Sequence, residues 1–140
     1  IVGLLAVIAI PNFTVMQLRA KRSEAPLNLS AIGMAERAYK AEHGEFIGLS
    51  MEPRHILDLD GKAVPWPAEA DLGQNVYHYF KGGWKVLGWT PDGLLYCCYY
   101  NNGVKLWAVC DLDNDDDITV YHQLDNGSVE FADPYYSSRY

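Results

Sequence analysis

IVGLLAVIAIPNF, residues 1–13, opens the chain with ten uncharged and mostly apolar residues before Pro11 and Asn12. A helix that is apolar all round needs partners on every side. Ten residues fall short of the ~20 that a helix needs to cross a bilayer. The run must therefore continue upstream, pack into a core, or meet copies of itself. No charged n-region precedes it and no small-residue cleavage site follows, so a segment upstream of Ile1 is expected.

Beyond Phe13 the helical signal continues. Turn signals are nearly absent to about His43, and alanine recurs at 6, 9, 20, 25, 31, 35, 38 and 41, which predicts one long helix. Its second part carries a one-sided stripe at Leu29, Ile32, Ala35 or Glu36, and Tyr39, with Phe46 just beyond; that is the period of a helix packed on one side. Residues 1–24 are expected to protrude and residues 25–140 to form a globular head. Pro11 and Pro26 each remove a helical hydrogen bond and crowd the preceding turn, at about 3 kcal/mol apiece, so kinks or local unwinding are expected there. Gly44, after Lys40 and His43, reads as the C-cap.

From Gly48 to Gln74, Pro53, Pro65 and Pro67 interrupt any period. This reads as a long connecting loop with a helical turn around His55 to Leu59. Strand patterns follow at 76–80, 83–90, 94–100, 104–112 and 118–124, and three of their separators, Pro91-Asp92-Gly93, Asn101-Asn102-Gly103 and Asp125-Asn126-Gly127, are strong hairpin signals. The fold class is α+β, a long kinked helix packed on an antiparallel meander of four or five strands.

The 140 residues have room for one domain, and 49% hydrophobic content suffices for its core. A formal charge of −7 argues against a nucleic-acid or anionic-lipid surface as the main partner. No nucleotide-cradling glycine loop is present.

The N-terminal residues carry a resemblance. Ile1 to Phe13, then Arg19-Ala20-Lys21-Arg22-Ser23-Glu24-Ala25 and Asn28-Leu29, resemble the mature N-terminus of type IV pilins, in which an apolar helix runs into A-I-P-N-F and a basic S-E-A segment. The resemblance spans about thirty residues. It implies a curved helix whose front half lies in a filament core and whose rear half packs on an antiparallel sheet. It also implies an unwound stretch between Gly3 and Pro11 in the assembled filament. Aligned this way, the chain begins downstream of the mature family N-terminus, and Pro26 stands where the family has a helix-friendly residue.

A second constellation is Asp111-Leu112-Asp113-Asn114-Asp115-Asp116-Asp117, whose five aspartates supply −5 of the −7. Alternating carboxylates at Asp111, Asp113, Asp115 and Asp117 match the first ligands of calcium loops. The sixth position holds Asp116 and not Gly, and His122 stands where an EF-hand has its bidentate Glu, so this is not an EF-hand. The loop is similar to the D-x-D-x-D-G loop between strands in some pilin and pseudopilin heads, which makes calcium the expected cofactor, against a solvated acidic turn. Asn114 and Asp116 are the residues that tolerate left-handed backbone.

Cys97, Cys98 and Cys110 lack metal spacing. A two-residue Asn-Gly hairpin would set Cys97 diagonally from Cys110, at a marginal ~7 Å, whereas a loop two residues longer would set them opposite. Cys97–Cys110 is the expected bridge, with Cys98–Cys110 and three free thiols as alternatives. His43, His55, His78 and His122 are scattered without a nucleophile or carboxylate pattern, so no catalysis is expected. Tyrosine- and tryptophan-rich strands suggest packing or contact surfaces, and the tail from Asp133 to Tyr140 is expected to drape over the head or a neighbour.

These readings converge on the structural subunit of an extracellular pilus-like helical filament, partnered by copies of itself and held in the inner membrane before assembly. Ile1, Gly3, Leu4, Leu5, Val7, Ile8, Ile10, Pro11 and Phe13 would form the assembly core, with Arg19, Lys21, Arg22 and Glu24 at its edge. Adhesion and motility would follow from the family. The alternatives are a secretion-system pseudopilin and a monomeric head that binds a ligand on its aromatic face.

Overall fold

The structure, a computed structural model, describes residues 2–68, 71–72, 83–114 and 118–131, with side-chain surroundings from Asn12 onward. Two consecutive helices form the N-terminal rod, α1 (Val2–Arg22) and α2 (Glu24–His43). Ser23 alone breaks them, its hydroxyl turned back onto the Ala20 carbonyl at 2.7 Å. Pro26 causes the break. It has no N–H, and its ring crowds the carbonyl four residues earlier, that of Arg22, so the ladder cannot run through this turn. Placed in the first turn of α2, Pro26 lacks only a donor that would have had no intrahelical partner. The helix runs through Pro11 without a break in the single chain. Gly44 caps α2 with φ 86° and bonds its N–H to the Lys40 carbonyl at 2.8 Å.

The rod's rear half lies on an antiparallel sheet ordered as in the chain: β1 (Leu49–Glu52), β2 (Cys97–Asn101), β3 (Leu106–Cys110), β4 (Thr119–Gln123) and β5 (Val129–Phe131). This is the expected α+β meander, with different edges. The segment at 83–90 is not a strand: Gly83–Leu87 forms a short helix, α3, that buries Trp84 and ends where the Gly88 N–H meets the Trp84 carbonyl at 3.0 Å. Over so few residues, the three-residue step from Trp84 to Leu87 competes with alternation. β1 lies in the stretch read as loop, and β5 was not foreseen; both are too short for a clear period. The turn expected near His55 is a 3₁₀ turn at Ile56–Asp58. The strand expected at 76–80 lies outside the described residues.

Strand alternation divides the sheet. Cys97, Tyr99, Leu106, Ala108, Cys110 and Tyr121 join Ala25, Leu29 and Ile32 of α2 in one buried cluster. Gly33 lets the helix approach β4: a Cβ there would fall 1.7 Å from the Gln123 side-chain oxygen. Glu36 is buried beside it, accepting hydrogen bonds from Asn101 Nδ2 at 2.8 Å and from the Ile47 N–H at 3.1 Å. Desolvation pushes its pKa up, and these two bonds oppose the shift only in part.

Cys97 pairs directly with Cys110 and is bonded to it, with Cα atoms 4.3 Å apart. The connection is the longer loop, Asn102 to Lys105. Asn102 Oδ1 accepts from the N–H groups of Val104 and Lys105 at 3.0 and 2.9 Å, and Asn101 pairs with Leu106. Two extra residues turn the diagonal into a facing pair. Cys98 points to the other side of β2, buried and unbridged, its thiol pushed up to about 12 by burial.

Replacing Cys97 and Cys110 together by serine should cost about 3 kcal/mol in denaturant unfolding, the loop-closure contribution of a ring this small. Native mass spectrometry should count one free thiol, unreactive until the chain unfolds. Glu36, with its folded pKa raised above 4.5, contributes more stability when protonated. That contribution is full below the unfolded value and is lost as pH rises through the folded one. Glu36→Gln should remove the decline, so that wild type loses stability relative to the variant as pH rises above 4.5 through the raised folded value.

Candidate functional site

The rod presents two apolar faces. One, through Ala25, Leu29 and Ile32, is closed by the sheet. On the opposite side Phe13, Met16, Ala20, Leu27, Ala31, Met34 and Ala38 follow steps of three, four and seven residues, all exposed. Met16, Leu27 and Met34 stand 67%, 68% and 67% exposed. At 3.6 residues per turn these positions make one stripe along the rod. The sequence reading found the packed stripe and missed this one; the seven-residue step from Leu27 to Met34, with alanines between, was its signal. The side chains of Ile1, Gly3, Leu4, Leu5, Val7, Ile8, Ile10 and Pro11 lie outside those described, and Phe13 is exposed at the head of the stripe.

Where the rod meets the head, side chains fix its direction. The Glu24 carboxylate accepts from the N–H groups of Tyr96 at 2.9 Å and Cys97 at 3.1 Å, and from the Tyr99 hydroxyl at 2.9 Å. Asn28 Nδ2 donates to the same hydroxyl at 3.0 Å. Burial and the Glu24 charge raise the Tyr99 pKa well above the usual phenol range, so it remains a donor. Lys21 Nζ donates to the Leu112 carbonyl at 3.2 Å and lies 4.6 Å over the Tyr96 ring. Glu24 and Lys21, expected at the edge of an assembly interface, are thus engaged within their own head. Arg22 is half-buried, near Tyr121, and Arg19 is exposed.

The acidic loop begins at this joint. Asp111 is buried and accepts the Asn114 N–H at 2.8 Å. Leu112 enters the core, and Asn114 takes the left-handed conformation, φ 59°. Asp113 is exposed and helps line a cleft of about 280 Å³ with Thr14, Gln17, Lys21 and Asp60. Asp115 and Asp117 lie outside the described residues. Among the described residues no three histidine, cysteine or acidic side chains converge on a point that could hold a metal.

The described histidines are placed structurally. His43 stacks on Tyr39 at 4.1 Å, His55 Nδ1 accepts the Leu57 N–H at 3.2 Å, and His122 lies against Trp107 at 5.3 Å. His78 is outside the described residues. Among the described residues no helix is long and apolar enough to cross a membrane.

No family model matches the chain, and no solved structure matches it. Among curated proteins it is similar to the type IV major pilin protein PilA of Myxococcus xanthus (strain DK1622), 42% identical over 52 residues, which are 37% of this chain and 24% of that protein. The match thus spans about a quarter of the relative's length. The similarity is to a pilin over this stretch, and the fold that carries it here is a long helix laid on a five-stranded antiparallel sheet.

Proposed function

We propose that the chain is the structural subunit of an extracellular, pilus-like helical filament that assembles through its N-terminal helix. The second apolar stripe carries the reading. It continues from Phe13 down the rod as far as Ala38, on the side away from the sheet, and water is a poor neighbour for it. The occupant that fits is the helix of a second copy. A seam of Met, Leu and small residues suits close helix approach, and it prolongs the apolar run Ile1 to Ile10 that the same contact would bury. Burial at ~25 cal/mol per Å² supplies the drive, before ordering costs. The contact is heterologous, one copy's front against another's flank, so it repeats without closing. Arg19, exposed beside the stripe, would select register more than add affinity. Before assembly the apolar run would reside in the inner membrane, and adhesion or motility would be properties of the finished fibre at the cell surface.

A pseudopilin of a secretion system would share this architecture; filaments seen on cells would separate the two. Calcium at Asp111, Asp113, Asp115 and Asp117 is a distinct proposal. It is supported by the alternation of carboxylates and by the turn that Asp111 and Asn114 close.

Leu27→Asp combined with Met34→Asp should abolish filaments in negative stain and leave the melting temperature of the detergent-solubilised chain nearly unchanged, since both side chains are exposed. Filaments persisting in the double variant would sink the stripe as an assembly face. For the metal, millimolar calcium should raise the melting temperature by roughly 4 °C or more over EDTA, and Asp113→Asn should remove the difference. Equal melting in calcium and EDTA would eliminate calcium as a ligand.

A further inference from the structure

The chain holds three methionines and three cysteines, and the fold treats these sulfurs unequally. Cys97 and Cys110 are joined in the disulfide, and Cys98 is buried with its thiol pushed up to about 12, so it offers little reactive thiolate. Met51 is half-buried in β1, whereas Met16 and Met34 each stand 67% exposed. One turn away on the same helix face, Phe13 and Ala20 flank Met16, and Ala31 and Ala38 flank Met34. The two thioethers most open to solvent therefore lie in the stripe that a second copy would cover. A thioether packs there as a pliable apolar group, but its sulfoxide is polar. Burying that oxygen requires a donor, which a seam of leucine and alanine side chains does not supply.

We propose that Met16 and Met34 are modification sites at which a hydroperoxide forms methionine sulfoxide and thereby keeps the subunit out of the filament. The sulfur lone pair attacks the terminal peroxide oxygen, and the O–O bond breaks as the S–O bond forms. Sulfur loses two electrons to the peroxide. The proton of the attacked oxygen passes to the other one, which leaves as water or an alcohol. Assembly covers both sulfurs, so the unassembled subunit is the sensitive form, and reduction of the sulfoxide reverses the block. This inference rests on the filament reading and adds a chemical control of the same stripe.

The test uses cells that make the full chain. Existing filaments are sheared off, the cells are pulsed with hydrogen peroxide, the oxidant is quenched, and filaments are allowed to regrow. Mass spectrometry of peptides then measures sulfoxide at each methionine in the regrown filaments and in the unassembled subunits. Sulfoxide at Met16 and Met34 should be at least tenfold scarcer in the filaments, while any at Met51 should be equal in the two fractions. Equal sulfoxide at Met16 and Met34 in both fractions would overturn the inference and leave the filament reading intact. Depletion at all three methionines alike would overturn it too, because damaged chains would then be sorted without regard to the stripe. So would unassembled subunits oxidised at Met51 and not at Met16 or Met34. If cells never treated with peroxide bear no filaments of this chain, the filament reading itself fails and this inference falls with it.

Discussion

Two glutamates on one helix hold the rest of this molecule in place. Glu24 and Glu36 are twelve residues apart, about 18 Å along the axis, and they bracket β2. Glu24 takes the N–H groups of Tyr96 and Cys97 at its start, and Glu36 takes the Asn101 carboxamide at its end. The Glu24 carboxylate, accepting three donors, makes the stronger class of hydrogen bond, whereas burial of Glu36 offsets part of what its two bonds contribute. The strand so fixed also carries the cysteine bonded to β3. Helix, central strand and disulfide therefore form one unit, and the hairpins beyond β3 build on it.

The same attachment gives the helix its second role. With its register against the sheet fixed by Glu24, Glu36 and the close approach at Gly33, the face toward solvent is fixed too. Leu27 and Met34 stand outward because Leu29 and Ile32 stand inward. A rod free to roll on its sheet could hide that stripe; one held by two carboxylates cannot. The break at Ser23 falls beside Glu24, where the rod meets the head.

Much of this was legible in the residues. The long helix, the Gly44 cap, the interruption caused by Pro26, the meander and the 97–110 pairing all rest on local chemistry: missing donors, left-handed glycine, alternation, turn residues. The misreadings share a cause. β1 and β5 are four and three residues long, too short for a period to emerge, and their strand character comes from the neighbour each pairs with. α3 was taken for strand because five residues around Trp84 fit both periods, and burial of the indole against Ser50, to whose carbonyl it donates at 2.6 Å, chose between them. The partner of Glu24 within the head was not legible either, because nothing near it in sequence points to Tyr96.

Sequence alone determined what each segment could be: an apolar run that cannot stand in water, a helix that must break near Pro26, strands that alternate, a loop dense in carboxylate. These follow from covalent geometry and solvation, which act within a turn or two of each residue. Tertiary structure decided which of two apolar helix faces is spent on the head and which is left over. It also turned Glu24 inward. Those outcomes depend on contacts between residues about seventy positions apart, from Glu24 to Tyr96 and from Asn28 to Tyr99, whose partners no local pattern names.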